Sequence, residues 1–570
     1  MAGQQEPPEQ DGETEPESDR TLSQRMLDGI ERVGNKVPHP VIIFLYLIGA
    51  VIVISAILGA LGVEVTEERL QPGLTVVEPR WVGGSDRPLT QAEFDEFGIQ
   101  IEYVLVEEDV PVRSLLSVDG LRFIFTSFVG NFASFSVVAV IIVAMLGVGV
   151  AEQAGLMAAL IRALVNAAPK QLLTFVIVLI GIVSSVATDA GYLILVPLGA
   201  AAFLSVGRHP LAGIAAAFGG VSGVFAVNIL IAPVDALVTE ITNEAIAVID
   251  PEATITITAN LYFGIVSTIV LAIVVTLVTE RLIEPRLGSY NPDEATDVET
   301  GQEMPVPEDA PAIDEANTSR GLRYGLYGLL GAVAVIALLT LLPGAPLRDP
   351  VDGSIIGNTP FMDSLIFLIT LIFLVCGITY GIGARTITGS TDVINAITKT
   401  FAGLAGLIFM LLVISQFIAF FNYTNMPRVL ASSMANVLSQ ADVRPTFLLV
   451  GFIVAIALLN ILIPNVVPKW AIFAPMFVPL FSELGIAPQT VLAAYRVGDS
   501  PTNVITPLMV YLPFILLVAQ RYQKSAGLGT IISLMIPYSI IILVVWIVLF
   551  VAWFLLGIPL GPGYPVDISQ

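Results

Sequence analysis

The chain of 570 residues is 55% hydrophobic and 13% charged, with a mean hydropathy of +0.85. That balance excludes a water-soluble globular domain and points to an integral membrane protein. A net charge of −23 excludes a basic nucleic-acid surface, one cysteine (Cys376) excludes an intramolecular disulfide framework, and two histidines (His39, His209) leave no histidine metal centre.

Residues 1–40 are polar and acidic, and the first apolar run after them is too long for a signal-peptide core, so a cytoplasmic tail without a cleavable signal is expected. A first span is predicted at 41–62, of the roughly 20 apolar residues that a crossing needs. An acidic insert at 63–124 follows, expected to be solvated, flexible and extracytoplasmic. Further spans are predicted near 133–152, 211–243, 261–283, 325–342, 364–382, 404–422, 489–519 and 531–557, nine in all. An acidic cytoplasmic linker at 285–322 separates a first membrane half (41–284) from a second (323–558), and 559–570 is left as a C-terminal tail.

Two more apolar stretches, 172–205 and 447–482, are broken in the middle by SSVATDAGY and NILIPNVVPKW. Too interrupted for one crossing and too short for two, each is expected to be a re-entrant hairpin. The predicted fold is therefore all-α integral membrane, with nine transmembrane helices and two hairpins. Most basic residues outside the long insert fall in cytoplasmic segments when the N-terminus is inside, which puts the C-terminus outside.

Residues 191–230 match 469–508 at a constant offset of 278, with ten identities in 40 positions, among them Pro197/Pro475, Gly207/Gly485, Pro210/Pro488, Gly220/Gly498 and Ser222/Ser500. Five predicted spans lie between the hairpins. An odd number makes the second hairpin enter from the opposite face, so the repeats are expected to be inverted, an arrangement that many secondary transporters use.

The spans after the hairpins are interrupted at 219–223 (GGVSG) and 497–503 (VGDSPTN). Non-helical backbone at that depth survives only when buried in protein or lining an aqueous cavity. Charges there are costly, by about 2.5 to 3.5 kcal/mol each, so Arg496 and Asp499 read as functional. Three residues apart, they share a helix face and are expected to pair, with Arg496 offering its fork to a substrate carboxylate and Asp499 serving cation or proton coupling. Asp189 is the other deep acid, a cation or proton site or else a helix cap. Asn460, Ser500, Thr502 and Asn503 offer neutral oxygens of the kind sodium accepts, or tie broken backbone together. Trp470, beside Lys469, is a platform for an aromatic ligand or an ordinary packing residue. Pro464, Pro468, Pro488, Pro501 and Pro507 stop helices where turns must be.

SSVATDAGYLILVPL, GRHPLAGIAAAFGGVSG, QFIAFFNYTN, PKWAIFAPMFVPLF and AAYRVGDSPTNVITPLM, in that order, resemble the aminobenzoyl-glutamate transporter (AbgT) family over about 28–557. The resemblance implies a homodimer, a bowl-like aqueous basin, and a core related to divalent-anion/sodium symporters. It further implies traffic in p-aminobenzoyl-glutamate or sulfonamide-type antimetabolites, driven by a proton or sodium gradient across the cell membrane, with no other cofactor. Positions matching the family's functional residues are Asp189, Asn460, Trp470, Pro488, Arg496 and Asp499, with sodium expected at Asp189, Asn460 or Asp499. Relative to the family pattern the insert and the linker are long and acidic, and PNVVPKW carries an extra proline.

Other classes fare worse. A Gly-x-Gly-Asp intramembrane protease motif fails because Arg496 stands two before Gly498 and would hold the acid ionised. A passive channel needs neither inverted hairpins nor a buried ion pair. A dicarboxylate/sodium symporter-like carrier is the main alternative.

Overall fold

The computed structural model describes residues 40–76, 99–187, 191–251, 253–292, 315–355, 359–440 and 444–568. The first part of the chain gives α1 (Pro40–Ala60), β1 (Glu64–Val76), β2 (Ile99–Pro111), α2 (Val118–Ala133), α3 (Ser136–Gln153), α4 (Leu156–Asn166) and α5 (Leu173–Val183). Then come α6 (Val196–Ser205), α7 (Pro210–Val221), α8 (Pro233–Ile246) and α9 (Leu261–Val278). The second part gives α10 (Glu315–Leu341), α11 (Leu365–Ala384), α12 (Ser390–Gly403), α13 (Ala405–Tyr423), α14 (Met426–Gln440) and α15 (Pro445–Asn460). It ends with α16 (Val466–Glu483), α17 (Pro488–Asp499), α18 (Leu512–Tyr522) and α19 (Leu528–Leu555).

Among the described residues, seven helical stretches are long and apolar enough to cross a membrane: α1, α2–α3 together, α9 with its extension to Leu287, α10, α11, α13 and α19. Their outward side chains, such as Leu45, Phe125, Val129, Leu330 and Val548, are exposed and apolar, as a lipid-facing surface requires. The other two predicted spans are each two short helices joined by an unwound segment: α7 and α8 around 222–232, α17 and α18 around 500–511.

One element was not expected. The insert, predicted to be flexible in an all-α chain, holds a two-stranded antiparallel sheet, β1 on β2, in register from Glu64↔Pro111 to Val76↔Ile99. The alternation in IQIEY (99–103), continued by the β-branched and apolar VLV (104–106), is the pattern of a strand. The sheet's base is fastened to the bundle, where Arg113 N–H donates to Thr424 O at 3.0 Å and Asn425 Nδ2 to Pro111 O at 3.0 Å.

The repeat noted in sequence recurs as backbone geometry. α6 ends on Gly207 (φ +75°) and α16 on Gly485 (φ +77°), both in the left-handed region that glycine enters without strain. The same two hydrogen bonds close each helix: Gly207 N–H to Leu204 O and Arg208 N–H to Phe203 O, Gly485 N–H to Ser482 O and Ile486 N–H to Phe481 O, all 2.9 Å. Pro210 and Pro488 then open α7 and α17 at the first helical turn, where the missing N–H costs nothing. α7 lies against α5 and α6, and α17 against α15 and α16.

Each turn is held differently. Arg208 grips Glu284 with Nε and Nη2, each at 2.7 Å, and donates to Thr174 Oγ1 at 2.8 Å. The second turn is held by the segment treated above as a tail: Val566 O accepts from Thr490 Oγ1 at 2.7 Å, Pro565 O from Gln489 Nε2 at 2.6 Å, and Ile568 N–H donates to Gly485 O at 3.1 Å.

Candidate functional site

The unwound segments meet. Ala226 N–H donates to Ser500 Oγ at 2.8 Å, Asn503 Nδ2 to Ser222 O at 3.4 Å, and Arg496 Nη1 to Ala226 O at 2.9 Å. Each is also tied to the end of the helix packed beside it. Thr506 Oγ1 donates to Ile461 O at 2.7 Å and Asn228 Nδ2 to Val183 O at 3.2 Å, and these two bonds are themselves related by 278 residues (506 − 228 and 461 − 183). Side-chain groups thus replace the hydrogen bonds that the broken helices forgo, as burial away from water demands.

The charges sit at this crossing. Arg496 is 6% exposed and Asp499 wholly buried, but they do not pair with each other as expected. Arg496 Nη1 lies 2.5 Å from Asp235 Oδ1, on the first turn of α8. Asp499 Oδ1 lies 2.6 Å from Lys469 Nζ, on the first turn of α16. Two residues on one helical face have each found a partner on a different element, which separates the charges and braces α17 from both sides. Asp235 is fixed in turn by its other oxygen, which accepts Ala232 N–H at 2.7 Å.

Lys469 is fully buried and also donates to Asn460 Oδ1 and, at 3.3 Å, to Ile463 O. Asn460 passes the contact on through Nδ2 to Thr502 Oγ1 at 2.9 Å and Asn503 Oδ1 at 2.8 Å. Thr502 Oγ1 itself donates to Ala457 O at 3.0 Å. Asn460, Ser500, Thr502 and Asn503 are therefore engaged in tying backbone together in this conformation. Trp470 is fully buried; its Nε1 donates to Val238 O at 3.1 Å and Thr242 Oγ1 at 3.0 Å, and its ring stacks on Tyr495 with centroids 4.4 Å apart. No face of the indole is open to a ligand here. Pro488 stands at the opposite end of α17 from Arg496, in the turn gripped by the C-terminal segment, so the structure does not bring it to the cluster. Asp189 lies outside the described residues.

Ser222 Oγ, Asp499 Oδ2, Arg496 Nε and Asn260 Oδ1 are buried at the crossing without partners among the described residues, and two of these four residues, Arg496 and Asn260, stand together. Both residues line one cavity, with Asn228, Asp235, Val227 and Gly264, of about 20 Å³, room for about one water molecule. Arg496 and Asn260 thus share the lining of one small void, and each keeps a buried polar atom that no described residue satisfies. Asp235 and Asn260 were missed in sequence, though a lone acid in the apolar run APVDALV was a signal of the same kind as Asp499.

Comparison with known proteins agrees with this architecture. Residues 25–568 match the model of the AbgT putative transporter family. The chain is 33% identical over 548 residues to the p-aminobenzoyl-glutamate transport protein of Escherichia coli K12, covering 95% of this chain and 97% of that one. It is similar to the structure of the Alcanivorax borkumensis YdaH transporter, described as having an unusual topology (TM-score 0.79, 39% identity, 92% of this chain and 100% of that one). It is equally similar in fold to Neisseria gonorrhoeae MtrF, described as illuminating a class of antimetabolite efflux pumps (TM-score 0.79, 37% identity, 95% and 100%). With a matched family model over nearly its whole length and relatives that are transport proteins, this multi-pass membrane chain belongs to the AbgT transporter family.

Proposed function

We propose that the chain is a secondary active carrier of p-aminobenzoyl-glutamate or related aromatic carboxylates and antimetabolites, coupled to a sodium or proton gradient. The observation that carries this reading is that Arg496 and Asn260 line one cavity, while Arg496 Nε and Asn260 Oδ1 find no partner among the described residues. A guanidinium held on one side by Asp235 keeps its other edge for a planar anion, the geometry that carboxylates take from arginine. Asn260 Oδ1 suits an amide N–H of the same ligand. Asp499, with Ser500, Thr502 and Asn503, serves the coupling ion, and Asp189 does so in the first hairpin.

A cavity of about 20 Å³ holds no such ligand, so this arrangement is a closed one and transport requires the unwound segments to part. The inverted repeat supports alternate opening: nine spans, two re-entrant hairpins entering from opposite faces, an N-terminus inside and a C-terminus outside, in a homodimer of the cell membrane. The names of the Escherichia coli and Neisseria gonorrhoeae relatives support the substrate class.

The enclosure of Trp470 favours one second reading, a small dicarboxylate that needs no ring platform. Uptake of labelled p-aminobenzoyl-glutamate into proteoliposomes tests both. Wild type is expected to transport, with Arg496→Lys reduced at least about 10-fold although the charge is kept, because the fork is lost. Arg496→Lys at the wild-type rate would refute the clamp. Succinate should compete poorly in wild type, and Trp470→Ala should lose uptake; strong competition by succinate with Trp470→Ala unimpaired would establish the dicarboxylate reading.

A further inference from the structure

Among the described residues, Lys469 is a buried charge at the crossing whose part in ion coupling is still open. Its position is that of a ligand rather than of a side chain reaching for a single partner. Nζ touches three oxygens of three chemical kinds: the carboxylate of Asp499 at 2.6 Å, the amide oxygen of Asn460, and the main-chain carbonyl of Ile463 at 3.3 Å. Asn460 is the last residue of α15, and Ile463 lies just beyond it. The C-terminal end of a half-helix carries unsatisfied carbonyls and the negative end of the helix dipole, the setting in which broken membrane helices hold a monovalent cation. Here an ammonium group holds that place, and its three hydrogens match the three oxygens.

We propose that Lys469 is a tethered cation that occupies the cage of Asp499, Asn460 and Ile463 and so excludes sodium from it, making Lys469 the residue that sets ion specificity at Asp499. A sodium ion bound to the same oxygens would sit in contact with Nζ, two positive charges in a buried site of low dielectric against one carboxylate. The tether cannot easily swing away. The next residue, Trp470, is fixed to α8 through two hydrogen bonds and stacked on Tyr495, whose hydroxyl donates to Val466 O at 2.6 Å. With Lys469 in place, one carboxylate oxygen of Asp499 stays without a partner among the described residues, so the acid is neutralised in charge but not saturated in hydrogen bonds. This rests on the coupling role proposed for Asp499, and a binding test that uses no substrate separates its failure from a failure of the transport reading.

The test is the thermal stability of purified protein in sodium chloride against choline chloride at equal ionic strength. Wild type is expected to show no difference. Lys469→Ala empties the cage and is expected to gain a sodium-specific rise of about 2 °C or more, the size that a saturating ligand confers. Lys469→Ala/Asp499→Asn should lose the rise. Should Lys469→Ala fold only when extracted in sodium, the proposal stands; failure to fold in either salt, or a folded Lys469→Ala blind to sodium, overturns it. A sodium response in wild type that disappears in Asp499→Asn overturns it as well.

Discussion

Asp235→Asn should both unfold the protein at lower temperature and cut transport by more than about 10-fold. The substituted amide can keep its oxygen on Ala232 N–H, which turns its NH2 toward Arg496 Nη1, donor against donor, where the carboxylate now accepts at 2.5 Å. Removing one partner from a buried pair costs about 3 to 5 kcal/mol, since the remaining charge stays in an apolar setting. The side chains are 7% and 14% exposed, which places the cost toward the lower end of that range. Asp235→Asn/Arg496→Gln removes both charges and should recover most of the melting temperature but none of the transport, because the edge proposed for the carboxylate is gone. Recovery of transport in the double variant would show that the arginine only holds α8 to α17. Wild-type melting and transport in Asp235→Asn alone would show that the pair holds nothing.

Gly498→Ala, one methyl group, should be the second most damaging change. A Cβ at 498 would stand 2.5 Å from Ile453 O and 2.9 Å from Ile456 Cβ, and the first of these is backbone that no rotamer change can move. Small residues let membrane helices approach closely, and here the closeness of α15 and α17 lets Lys469 of α16 bridge Asn460 on the one to Asp499 on the other. Forcing the helices apart costs about 1 to 3 kcal/mol of overpacking and displaces both ion pairs, since Gly498 lies between Arg496 and Asp499. The control is Gly451→Ala on α15, where a new Cβ meets nothing within 4 Å. Melting and transport should both fall in Gly498→Ala and be unchanged in Gly451→Ala. Equal behaviour of the two would mean that the helix crossing tolerates more than its geometry implies.

The parts of this molecule that could be read from sequence are those in which a local rule is violated. Arg496 and Asp499 stand out because charge in an apolar run is expensive, and the broken spans because Pro, Gly and Ser cluster where a continuous helix is otherwise due. The turns at Gly207 and Gly485 repeat so closely that their glycines and prolines align across 278 residues of sequence. What could not be read is who pairs with whom. Asp235 is 261 residues from Arg496 and joins it only because two unwound segments cross. Spacing along α17 favoured an Arg496–Asp499 pair, a local preference that the partners arriving on α8 and α16 override. Trp470 reads in sequence as either a ligand platform or a packing residue, because an aromatic in a hairpin has no assigned neighbour there; in this conformation it packs on Tyr495. The hairpin β1–β2 was hidden by its acids, which suggest solvation, although the alternation beside them was that of a strand. The C-terminal segment was too short and polar to suggest that its carbonyls fasten the start of α17.

The central claim is that the crossing of the two unwound segments opens in turn to each side of the membrane. Leu230 borders the cavity there and is 50% exposed. Leu230→Cys, in a background with the single native cysteine changed to Ser, can be challenged with a membrane-impermeant thiol reagent from either face of oriented vesicles, with and without p-aminobenzoyl-glutamate. Labelling is expected from both compartments, in proportions that the substrate shifts. Labelling from one compartment alone, whatever the substrate or gradient, would contradict it.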